Sequence, residues 1–165
     1  MRKLMLVPVA AFAVLAFIYL PQLPNPMATH FGVDGQPNGF STPSGFFALG
    51  GGVMLLMLAI FGGMGSLLRH LPNSLINIPN RDYWLAPERR AATVGRVADL
   101  MALFGLFVLT FLDLVFYLAI RANLTGEPLD SRFMLPALGA VGVAVVALLV
   151  RMFLGFRLPA GAQKV

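Results

Sequence analysis

Four long apolar runs, almost free of charge, limit what this chain can fold into more than any other feature. They cover residues 4–20, 46–68, 98–120 and 133–153. An α-helix rises 1.5 Å per residue, so about 20 residues cross ~30 Å of hydrocarbon. Inside hydrocarbon, a single segment satisfies its own backbone polar groups only as a helix. The expected fold is all-α: a polytopic membrane protein, a four-transmembrane-helix bundle forming one membrane domain over residues 1–165. An ordered outer loop at 21–45 joins the first two spans, and a cytoplasmic segment at 69–97 joins the second to the third.

Composition agrees with this reading. The chain is 58% hydrophobic and 12% charged, with a mean hydropathy of +0.82, whereas an ordinary globular domain carries about 25% charged residues. Cysteine is absent, which excludes disulfides and thiolate metal sites. The net charge of +5 does not point to nucleic acid, because the basic residues flank the apolar runs instead of lining one polar face. Ten of the twelve Lys and Arg residues lie before the first run, between the second and third, or after the fourth; only Arg121 and Arg132 lie on the other side. The excess of Lys and Arg on cytoplasmic loops then puts both termini in the cytoplasm of a cell-membrane protein and the 21–45 loop outside. The basic start, Arg2 and Lys3, is shared with secretory leaders. No small-x-small cleavage site follows, since the run ends in Tyr19, Leu20 and Pro21, and the segment is read as a retained span.

The stretch 23–40, LPNPMATHFGVDGQPNGF, is punctuated by proline and glycine. Proline fixes φ and glycine permits positive φ, so a shaped loop without a regular element is expected. The residues Leu23, Pro24, Thr29, His30, Phe31, Gly35, Gly39 and Phe40 resemble the N-terminal uncharacterised domain of bacterial membrane proteins related to the Sdp toxin-immunity family. Asn38 stands where that pattern more often has aspartate, and no lysine follows near Ser44. A second block at 78–90, IPNRDYWLAPERR, resembles the segment after the second transmembrane helix of the same group. The resemblance implies recognition or signalling of the immunity type, with a peptide among the ligands to consider.

Three groups of residues are candidates for function. His30 and Asp34 offer an imidazole and a carboxylate four residues apart, on which Glu127 or Asp130 of the second outer loop can converge; such N/O donors suit zinc or a similar ion. The plainer role for both is to hydrogen-bond loop backbone and hold the turn. Asp113 lies within the third span, where an ionised carboxylate costs at least ~2.5 kcal/mol. It should face the bundle interior and find a donor, and one expectation is a polar cluster in which His30 and Asp34 close over Asp113. The third group is Arg81, Asp82, Tyr83, Trp84, Glu88, Arg89 and Arg90, read either as a membrane-interface segment or as a docking surface for a partner. The glycines of the second run (Gly50, Gly51, Gly52, Gly62, Gly63 and Gly65) and the Ala140/Ala144 pair are read as close helix contacts.

No nucleophile or metalloprotease motif is present and no cofactor is expected, which disfavours an enzyme. The expected partners are the lipid bilayer, a membrane protein or second copy, and a peptide ligand, but not nucleic acid. The leading function is recognition or signalling at the outer surface. An accessory subunit of a larger membrane complex is the alternative, and a small transporter resting on Asp113 is the third.

Overall fold

The structure is a computed structural model that describes residues 2–160; Lys164, which enters the charge balance above, lies outside the described residues. Among these residues, four helices are long and apolar enough to cross a membrane: Arg2–Gln22, Pro43–His70, Pro87–Thr125 and Arg132–Gly155. The protein is an all-α polytopic membrane protein, as expected.

Helix boundaries follow local chemistry. The first span comprises a 3₁₀ turn, the helix α1 (Leu6–Tyr19) and a second 3₁₀ turn. Helix α2 (Pro43–His70) starts where the Thr42 hydroxyl accepts a hydrogen bond from Gly45 N at 3.1 Å, with Pro43 in the first turn, where its missing N–H costs nothing. The single turn α3 (Arg81–Trp84) precedes α4 (Pro87–Thr125). Helix α4 has 39 residues, about 58 Å of helix and nearly twice the hydrocarbon thickness. It ends at Gly126, whose φ of 69° provides the left-handed C-terminal turn. Helix α5 (Ser131–Gly155) is capped by Asp130, which accepts from Arg132 N at 3.0 Å and pairs with the Arg132 guanidinium at 2.9 Å. That side-chain bond holds the Asp130 carboxyl below the ordinary carboxylate range.

Packing centres on α2 against α4. A Cβ on Gly105 would lie 2.5 Å from Phe61 Cβ, and one on Gly50 would lie 2.7 Å from Phe12 and 3.0 Å from Phe116. The glycines are thus points of contact between helix backbones and aromatic rings. Around them Phe12, Phe46, Phe47 and Phe116 pack as tilted and edge-on pairs with centroids 4.7–5.9 Å apart. Not all glycines of the run serve this purpose. Gly52, Gly62 and Gly63 would carry a Cβ into open space. Helix α5 is the least covered, with Leu135, Val143, Val146 and Phe153 exposed.

One local expectation is corrected. The 23–40 stretch is not free of regular structure: β1 (Met27–Phe31) and β2 (Pro37–Ser41) form an antiparallel hairpin, with Met27 opposite Ser41 and Phe31 opposite Pro37. The register slips at Thr29 on β1 and again at Asn38 on β2, which marks two local irregularities. Pro37 and Gly39 read as strand breakers, yet a two-stranded sheet has only edge strands, where such residues are tolerated.

Gly50→Leu is expected to destabilise the protein by about 1–3 kcal/mol by overpacking against Phe12 and Phe116. Gly52→Leu should be close to neutral. Unfolding in detergent measures both; equal effects would place the tight contact elsewhere.

Candidate functional site

The two ends of the bundle are built differently, and the sequence candidates divide between them. At one end the hairpin rests on the end of α4. The Asn123 side chain accepts from Ala28 N at 2.6 Å and donates to Ala28 O at 2.8 Å, replacing the pairing that a third strand would supply. A second tie runs from Leu129 N to Gly35 O at 2.9 Å, where Gly35 has a φ of 77°. A Cβ at Gly35 would lie 2.7 Å from Leu129 O, so both conformation and space require glycine. The two loops meet through backbone and Asn123; nothing in the sequence around this asparagine signals that it receives a strand.

Held in this way, the hairpin presents His30 and Asp34 outward, both exposed. Asp34 Oδ1 accepts from Gln36 N at 3.0 Å and shapes the turn. His30 Nδ1 lies 3.1 Å from the Thr29 hydroxyl. The expected cluster of His30 and Asp34 over Asp113 is not formed, because the hairpin is occupied in pairing with itself and with Asn123. Among the described residues no three His, Cys, Asp or Glu side chains come close enough to hold a metal ion.

Asp113 sits on α4 one turn from Leu109, part of the main core, and from Phe116, which packs against it. Its Oδ1 is buried and has no hydrogen-bond partner among the described residues. Thr110, close by on the same helix, donates to Leu106 O at 2.8 Å. An unpartnered buried carboxyl oxygen is costly and is the clearest polar anomaly of the bundle.

At the opposite end, residues of the third group cap helices. The last carbonyls of a helix lack partners within it and attract cations. Arg90 donates to Leu68 O, Arg69 O and Leu71 O at 2.6–3.2 Å, closing the end of α2, and to Asn73 Oδ1 at 3.0 Å. The end of α5 is closed similarly: Trp84 Nε1 and Asn80 Nδ2 both donate to Phe156 O, at 2.9 and 2.8 Å, and Arg96 donates to Gly155 O at 2.8 Å. Beneath these bonds Leu68, Ile76, Ile78, Leu85, Val94 and Phe156 form a second apolar core. Arg89 lies over the Tyr83 ring at 4.1 Å and pairs with Glu88 at 2.8 Å. Arg81 and Asp82 pair at 3.2 Å on the exposed side. Arg90 and Trp84 are thus engaged within the fold, while Arg81, Asp82 and Glu88 remain exposed.

A DUF1648 domain, a domain of unknown function, is found at residues 7–61. That stretch covers α1, the hairpin and the first part of α2, including every loop residue from Leu23 to Phe40 on which the family resemblance rests. No curated protein and no solved structure matches the chain.

If Asp113 has no internal partner, Asp113→Leu should raise stability in detergent by about 1–3 kcal/mol, the cost of an unsatisfied buried polar group. A loss of stability in thermal unfolding would reveal a partner supplied from outside the described fold.

Proposed function

We propose that this membrane protein is a recognition or signalling component of the immunity type that its sequence resembles, with the hairpin as its receiver. The observation that carries this reading is the contrast at the hairpin. Its backbone is fixed to α4 by Asn123 and to the following loop through Gly35, while the His30, Asp34 and Asn38 side chains and Val33 face outward. A rigid backbone that presents exposed polar groups loses little entropy on binding. The charge asymmetry supports placing the hairpin outside the cell and the 69–97 segment in the cytoplasm. Helix α4 is continuous from the Asn123 contact to the Arg90 cap, so a displacement at the hairpin has a stiff element to act on.

The alternative, an accessory subunit, is favoured by a separate observation. Gly52, Gly62 and Gly63 on α2 and Gly139 and Gly142 on α5 have open space where a Cβ would stand, and small residues at such positions let another helix approach closely.

The two readings separate experimentally. A secreted peptide that binds the receiver should raise the unfolding temperature of the purified protein; at 100 times its Kd the gain is about 2.7 kcal/mol. Asn123→Ala and His30→Ala should both reduce the gain. A stoichiometric partner in mild detergent, with no peptide-dependent stabilisation, would support the subunit instead. The orientation is checked in the cysteine-free chain. Val33→Cys and Glu127→Cys should react with an impermeant maleimide on intact cells, and Ser74→Cys and Arg157→Cys only after permeabilisation. The reverse pattern would invert the topology.

A further inference from the structure

Charge marks the depth of α4 and α5 in the bilayer. Apart from Asp113, α4 carries no charged residue between Asp99 and Arg121, and α5 carries none between Arg132 and Arg151. At 1.5 Å per residue these intervals are about 33 Å and about 28 Å, each close to the ~30 Å of hydrocarbon. The bond from Arg96 to Gly155 O brings the start of α4 beside the end of α5. Asp99 and Arg151 therefore lie at the same membrane boundary, with Arg96 one turn farther toward the headgroups.

At that boundary Arg96, Asp99 and Arg151 line one recess of about 650 Å³, with Leu100 and Leu103 as its apolar side. Arg96 is pre-positioned: one nitrogen is bound to Gly155 O, and its guanidinium carbon stands 5.1 Å from the centre of the Phe156 ring. Its other donors are not used by that bond. Among the described residues neither Arg151 nor Asp99 forms an ion pair, although both line the same space.

We propose that this recess binds one anionic phospholipid, with its phosphate held between Arg96 and Arg151 and a headgroup hydroxyl donating to Asp99. Two guanidinium groups and one carboxylate leave a single positive charge, which matches one phosphodiester. Guanidinium forks suit phosphate oxygens, and basic pockets between transmembrane helices at the headgroup level take lipid phosphates. Leu100 and Leu103 continue the recess toward the hydrocarbon, where an acyl chain follows the phosphate. A phosphatidylcholine headgroup fits less well: its trimethylammonium has no hydrogen to donate to Asp99, and its net charge is zero.

The test is native mass spectrometry of the full chain in detergent with equimolar phosphatidylglycerol and phosphatidylcholine. The phosphatidylglycerol adduct should predominate and weaken about fivefold in Arg151→Gln, the effect of one interfacial cation. Arg157→Gln, an exposed arginine at the same end but outside the recess, should leave it unchanged. Arg151→Lys should retain most of the adduct, which keeps the proposal testable if the glutamine variant folds poorly. Equal adducts for the two lipids, no effect of Arg151→Gln, or an equal loss in Arg157→Gln would overturn the proposal. Displacement of phosphatidylglycerol by millimolar inorganic phosphate would overturn it too, assigning the recess to a free anion.

Discussion

The close approach of α2 and α4 is the contact on which the rest of the structure depends. Lipid tails are as apolar as leucine side chains, so helices in a bilayer gain little from burying apolar surface and associate through packing and hydrogen bonds. Here the packing is set by the absence of side chains at a few positions. Gly50 admits Phe12 and Phe116, Gly105 admits Phe61 and Met5, and Gly65 lies against the Arg2 guanidinium and Ala98. Helix α1 and the aromatic cluster fill the space beside this pair, whereas α5 lies against α4 with most of its surface uncovered.

Because α4 is nearly twice as long as the hydrocarbon is thick, it carries a structure at each end. Asn123 receives the hairpin at one; Arg90 and Arg96 close the ends of α2 and α5 at the other. Both joints use the same device, a side chain satisfying backbone groups that have no partner in their own element. In the proposed reading, binding at the hairpin would act on this frame through α4, and a phospholipid between Arg96 and Arg151 would add a further tie between α4 and α5.

The helices were legible because hydrophobic length and charge are properties of a single segment. Residues 98–120 read as a span, and the helix that contains them begins farther back, at Pro87. The hairpin was not legible, because Pro37 and Gly39 are breakers in a central strand and are tolerated here only at an edge. Arg90 and Trp84 were legible as a basic aromatic segment, but what they bind was not: their acceptors lie 17 to 22 residues away for Arg90 and 72 away for Trp84. The glycines of α2 looked equivalent in sequence. Which of them face α4 depends on rotation about the helix axis, so Gly50 and Gly65 are packed while Gly52 and Gly63 are open. Asp113 was visible as an anomaly, and its missing donor became apparent only from the packing around it.

Disulfide trapping across α2 and α4 reads the central contact directly, since the chain has no cysteine of its own. A Cβ at Gly65 would stand 3.0 Å from Ala98 Cβ, slightly inside the ~3.5–4.5 Å that a disulfide spans, once the flexible Arg2 guanidinium that lies against Gly65 moves aside. Gly65→Cys with Ala98→Cys should therefore cross-link rapidly and nearly completely under mild oxidation in the membrane. Gly63→Cys with Ala98→Cys should not, because Gly63 faces away from α4. Cross-linking of the Gly63 pair, or failure of the Gly65 pair, would contradict the α2–α4 arrangement from which the rest of the account follows.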